Sequence, residues 1–105
     1  MNNNFKLIGE YIQEVLKENN LSQEDLAKYL CMSKGKMTKI MANECMIDKK
    51  ILEKIKSKLK NFDLNTANEC LENTQIKLEF PNFYMKVKKL ASQFEALESL
   101  LLKIK

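Results

Sequence analysis

A chain of 105 residues with 18 Lys, 14 acidic residues, no Arg and a net charge of +4 has room for one small domain, or one domain and an appendage. It contains no apolar run of transmembrane length, and its start, MNNNFKLIGEY, lacks a signal-peptide apolar core, so a cytoplasmic location away from membranes is expected. Without histidine, a CxxC pair, a glycine-rich phosphate loop or a Ser or Cys beside a base, it offers no basis for a metal centre, a cofactor, a small-molecule substrate or enzymatic catalysis.

The first helix is expected from Phe5 to Glu18, where Phe5, Ile8, Ile12, Val15 and Leu16 recur at helical spacing. Asn19 and Asn20 end it, because asparagine tolerates the left-handed conformation of a helix C-terminus. Leu21 then plugs the core ahead of a second helix over 23–30, with Leu26, Ala27 and Leu30 on one face. A third helix, over 34–41, carries Met37, Ile40 and Met41 on one face. Ser22 and Ser33 stand where these helices begin and read as N-caps, and Asp25 follows Ser22 at nearly the spacing of a capping box. Two capped helices separated only by Cys31 and Met32 must cross steeply, a helix-turn-helix whose second member can enter a DNA major groove.

Asp48 caps a fourth helix with Ile51, Leu52, Ile55 and Leu59 inward and a row of lysines outward. Those lysines read either as a solvated face or, near Lys49 and Lys50, as phosphate contacts. The charge is asymmetric. Residues 1–60 hold twelve lysines and eight acids, whereas 61–105 hold six of each, so the whole surplus lies with the first half and suggests a polyanionic partner. Lysine neutralises phosphates but lacks the planar fork that makes the strongest guanine contact. The cysteines Cys31, Cys45 and Cys70 read as reduced, partly buried small apolar residues.

Beyond Leu59, Asp63 caps a fifth helix expected over 64–72, with Leu64, Ala67, Cys70 and Leu71 apolar. Residues 74–80, TQIKLEF, alternate apolar and polar and predict an extended segment. Pro81 sits where a last helix over 82–104 begins. In that helix Phe83, Val87, Leu90, Phe94, Leu97, Leu101 and Ile104 alternate steps of four and three, a heptad seam. A nine-residue fifth helix is too short to cover it, so a dimer is expected through these seven residues.

The first 60 residues resemble the phage-repressor-like helix-turn-helix family, also called the xenobiotic-response-element family. The residues that carry the likeness are Leu21-Ser22-Gln23, Leu26-Ala27, Cys31-Met32-Ser33 and Met37-Thr38. The layout, a head over 1–60 and a helical tail over 61–105, is similar to the Sin-type regulators of sporulation and biofilm formation. In those bacterial systems a repressor with such a tail is controlled by an antagonist carrying a related one. The resemblance implies an all-α fold, a lambda-repressor-like domain of four to five helices followed by a long C-terminal dimerisation helix. It further implies that Gln23 bonds a backbone phosphate, and that Ser33, Lys34, Gly35, Lys36, Thr38 and Lys39 face base edges and phosphates. Asn43, Lys49 and Lys50 would lie near the flanking DNA backbone.

The chain departs from the family pattern at several points. The turn glycine is Cys31, which implies either a left-handed backbone strained by roughly 1–2 kcal/mol or a different turn. Asn43 and Ile47 stand for the usual glycine and proline, and Gly35 leaves a base-reading position bare. An Arg and a Glu that bridge beneath the fold in many members are Leu16 and Met41 here, as if an ion pair had been exchanged for an apolar contact. The leading expectation is a dimeric transcription regulator, of repressor type, binding operator DNA through its third helix. The alternative is an antagonist that forms a heterodimer with a related regulator through the tail and itself binds DNA weakly.

Overall fold

The computed structural model describes residues 6–104, with side chains of the last helix described only for 81–90, 92 and 93. The fold is all-α: α1 (Ile8–Glu18), α2 (Gln23–Tyr29), α3 (Lys34–Met41), α4 (Lys49–Lys58), α5 (Leu64–Glu79) and α6 (Pro81–Ile104). No strand occurs among the described residues. Phe5 and the side chains of Phe94, Leu97, Leu101 and Ile104 lie outside the described residues.

The extended segment expected over 74–80 is instead helical as far as Glu79, with Phe80 between two helices, and α5 is 16 residues long rather than nine. The reason lies in one buried side chain. The Thr74 hydroxyl donates to the Cys70 carbonyl one turn earlier, at 2.8 Å, and accepts the Ile8 N–H at 2.9 Å. The first bond fits a helical turn, and the second holds Thr74 on its inner face. Ile76 and Phe80, which read as alternate residues of a strand, are equally i and i+4 of a helix.

The chain divides into two compact units, one ending at Gln75 and the other starting at Ile76. The first unit is longer than the 1–60 head because most of α5 shares its core. Ile8, Ile12, Val15 and Leu16 of α1 pack with Leu26 and Ala27 of α2, Met37, Ile40 and Met41 of α3, and Leu52 and Ile55 of α4. Ala67, Cys70 and Leu71 of α5 join the same buried cluster. Leu16 and Met41 are both inside it, so no charge stands in the places where the family resemblance puts an ion pair. The Tyr11 hydroxyl accepts the Asp63 N–H at 2.9 Å, and its ring lies 5.3 Å from that of Phe62. Asn19 ties the end of α1 to Lys60, accepting its N–H and donating to its carbonyl, each at 2.9 Å.

The start of α1 has no local cap, since Leu7 occupies the N-cap position and offers no polar side chain. Its first N–H groups are satisfied from a distance: Ile8 donates to Thr74, and Gly9 donates to the Asn43 side-chain oxygen at 2.7 Å. The second bond demands a close approach. A Cβ on Gly9 would sit 2.5 Å from the Met41 carbonyl oxygen and 2.7 Å from that of Ile40, so only glycine fits.

The C-terminal ends of the helices use left-handed residues without glycine. Asn20, Cys31 and Asn43 have φ of 56°, 54° and 62° and follow α1, α2 and α3. In each case the next residue donates back to the carbonyl five positions earlier: Leu21 to Leu16, Met32 to Ala27, Glu44 to Lys39. This is the Schellman arrangement. Cys31 therefore keeps the left-handed turn and carries its strain. At the other ends, Ser22 and Asp25 form a reciprocal capping box. Ser33 accepts the Lys36 N–H and Asp48 the Ile51 N–H, while Asp63 binds both the N–H and the hydroxyl of Thr66.

Thr74→Val should leave the buried Ile8 N–H unpaired and lower the unfolding free energy by about 1–3 kcal/mol in a denaturant titration, whereas Thr74→Ser should retain most of it. Gly9→Ala should cost about as much, because carbonyls rather than a flexible side chain stand in its way. A Thr74→Val protein as stable as the parent would show that the remote cap is dispensable.

Acid should expose the capping carboxylates. Hydrogen bonds from Ser22 hold Asp25 below its ordinary value of 3.8, and those from Thr66, side chain first, do the same for Asp63. Groups so depressed contribute stability above the ordinary value and lose it as pH falls through the folded value. Tm should be level at neutral pH and fall from about pH 4 downward, and Asp25→Asn should flatten part of that slope. A parent and variant with identical acid profiles would remove Asp25 from this account.

Candidate functional site

The sequence places a basic surface on α3, and the local structure explains how it is presented. Met37, Ile40 and Met41 are buried, which turns Lys34, Gly35, Lys36, Thr38 and Lys39 outward, and all five are exposed. Ser33 fixes the start of the helix as its N-cap. Gln23, at the first position of α2, is half-buried and reaches across the turn: its amide nitrogen lies 3.4 Å from the Thr38 hydroxyl. Thr38 in turn donates to the Lys34 carbonyl at 2.9 Å. Glu24 approaches Lys34 at 3.7 Å, but both side chains are well exposed, so water competes with the pair and it contributes little. Between the two helices lies an open groove of about 340 Å³, floored by Ala27, Met32 and Met37 and edged by Gln23, Lys28 and Lys34.

The charges at the helix starts are unequal. The first turn of α2 carries Glu24 and Asp25, which suit the positive end of a helix dipole. The first turns of α3 and α4 carry no acid. Lys34 and Lys36 stand in the one, Lys49 and Lys50 in the other, and all four are exposed. A cation at that end is disfavoured by about 0.3–1 kcal/mol. These lysines thus oppose local stability; at α4 the Asp48 carboxylate at the N-cap offsets them, whereas the N-cap of α3 is the neutral Ser33. Gly35 adds a further cost of roughly 1 kcal/mol relative to alanine.

Asn43 is placed differently from the other candidates. It is buried, and its side-chain oxygen accepts the Gly9 N–H. Its side chain belongs to the junction of α1 and α3 and is not presented to a ligand. Of the three thiols, Cys31 is exposed, Cys45 is half-buried and Cys70 is buried. Burial pushes the Cys70 thiol up to about 11, which makes it a poor nucleophile at neutral pH. Among the described residues no group of three or more His, Cys, Asp or Glu is placed to hold a metal ion, and no helix is long and apolar enough to cross a membrane.

The second unit has a different surface. Phe83 and Leu90 of the heptad seam are 59% and 64% exposed, and Val87 is half-buried. Ile76, near the end of α5, and Phe80, between α5 and α6, are also exposed, and their spacing in the sequence continues the alternation of four and three backward from Phe83. Sequence reasoning missed these two. The spacing held the signal, but reading residues 74–80 as a strand, with Pro81 as its limit, concealed it. Backbone bonds from Phe80 to Ile76 and from Tyr84 to Phe80 span four residues on either side of Pro81. Tyr84 is buried, with the Lys88 ammonium 5.9 Å from its ring centre.

Compared with known proteins, the chain matches no family model, no curated protein and no solved structure.

Proposed function

We propose that the protein is a DNA-binding regulator of the phage-repressor-like helix-turn-helix kind, acting in the cytoplasm as a dimer and of repressor type. The observation that carries this reading is α3 itself, a helix whose inner face is buried and whose outer face presents Lys34, Lys36 and Lys39 with no acid in its first turn. In the proposed mode α2 and α3 form the motif and α3 lies in the major groove. Gln23 bonds a backbone phosphate, Ser33 and Thr38 face base edges and phosphates, and Lys49 and Lys50 contact the flanking phosphates. Phosphate contacts of this kind position the protein, and the base-edge contacts specify sequence. The seam that starts at Ile76 and Phe80 and continues through Phe83, Val87 and Leu90 joins two copies, so that two heads address two half-sites.

A second reading is favoured by the same exposed seam together with the bare Gly35. In it, the tail pairs with a related regulator, and the weak reading head retunes or blocks that partner.

The readings separate in a salt titration of the purified protein against duplex DNA. Direct binding predicts an affinity that falls steeply with salt, with each neutralised phosphate adding about −0.9 to the log–log slope. Reversal of Lys34, Lys36 and Lys39 to Glu should abolish it while leaving the helical content intact. An affinity indifferent to those three reversals would exclude the direct reading.

Dimerisation is tested by light scattering, which should return close to twice the chain mass of 12.3 kDa. Phe83→Glu with Leu90→Glu should give a folded monomer, because both side chains are exposed within the single chain. A parent that is already monomeric, yet gains mass with a related regulator, would favour the second reading.

A further inference from the structure

The chain has two glycines, and the fold accounts for one of them. Gly9 is required because carbonyl oxygens of α3 occupy the space a Cβ would take. Gly35 is not explained in this way. Its φ is not in the left-handed region, and a Cβ built on it meets nothing within 4 Å. It is exposed on an eight-residue helix that any other ordinary residue would strengthen. Neither conformation nor internal packing asks for glycine there.

Glycine also serves where another molecule's surface must come close to the backbone. The residues on either side are Lys34 and Lys36, and Lys39 lies one turn further on, so the surface that approaches is anionic. We infer that Gly35 is a specificity-determining contact: the α3 backbone lies flush against the wall of a DNA groove there, with no space left for a side chain. The inference rests on the DNA-binding reading and adds to it. Gly35 reads no base edge. It sets how deeply α3 seats, and so lets Lys34 and Lys36 reach phosphates on both sides. Selectivity at this point then comes from groove shape rather than from hydrogen bonds to bases.

The test uses the full chain to select a short duplex from a random-sequence pool, and then measures binding of that duplex by fluorescence anisotropy. The parent, Gly35→Ala, Gly35→Val and the Lys34→Glu/Lys36→Glu/Lys39→Glu protein are compared. Gly35→Ala should have an equal or higher Tm and yet bind the selected duplex about tenfold more weakly, because one methyl group in a closed contact must displace its neighbour. Gly35→Val should be weaker again. Binding that depends on the three lysines but is unchanged in Gly35→Ala would overturn the Gly35 inference and leave the DNA reading standing. If the parent enriches no duplex, or if the charge-reversed protein binds as well as the parent, the DNA reading falls and Gly35 falls with it.

Discussion

The uncapped start of α1 is the constraint on which the first unit depends. A helix that begins inside a protein must satisfy N–H groups that its own turns cannot reach, and leaving one unpaired costs about 1–3 kcal/mol. Here the residue before α1 is leucine, so the partners come from far along the chain. Asn43, just past α3, takes the Gly9 N–H, and Thr74, deep in α5, takes that of Ile8. These two bonds join the beginning, middle and end of the unit at one point. They also account for Gly9 and for the burial of Asn43 and Thr74.

That junction explains which parts of the fold were legible in the sequence. Helices α1 to α4 follow from local signals: apolar residues at helical spacing, serine or aspartate at the starts of α2 to α4, asparagine after α1. Each is decided within a few residues of where it acts. Residues 74–80 misled because the bond that holds Thr74 inward comes from Ile8, 66 positions earlier. No window around TQIKLEF contains that information, and within it a period of two fits as well as i and i+4. The same distance hid the role of Asn43, whose family-like position suggested a place beside DNA and whose side chain serves the junction instead.

The basic face was legible residue by residue, since burial of Met37, Ile40 and Met41 dictates what faces outward. What the structure adds is its energetic character. Lysines at the starts of α3 and α4 work against the helix dipoles, and Gly35 weakens a helix in which nothing requires it. The exposed seam of the second unit is the apolar counterpart. Phe80, Phe83 and Leu90 keep apolar surface against water, which is unfavourable for the single chain.

The glycine-free helix ends have a consequence for the unfolded chain. A glycine at the close of a helix relieves strain in the folded state but adds freedom to the denatured one. By ending α1, α2 and α3 with Asn20, Cys31 and Asn43, this protein accepts left-handed strain, least at the asparagines and greatest at Cys31, and keeps a denatured ensemble with fewer accessible shapes. Part of what holds the helices together is therefore absent from every contact in the native fold: it is the narrowness of the alternatives.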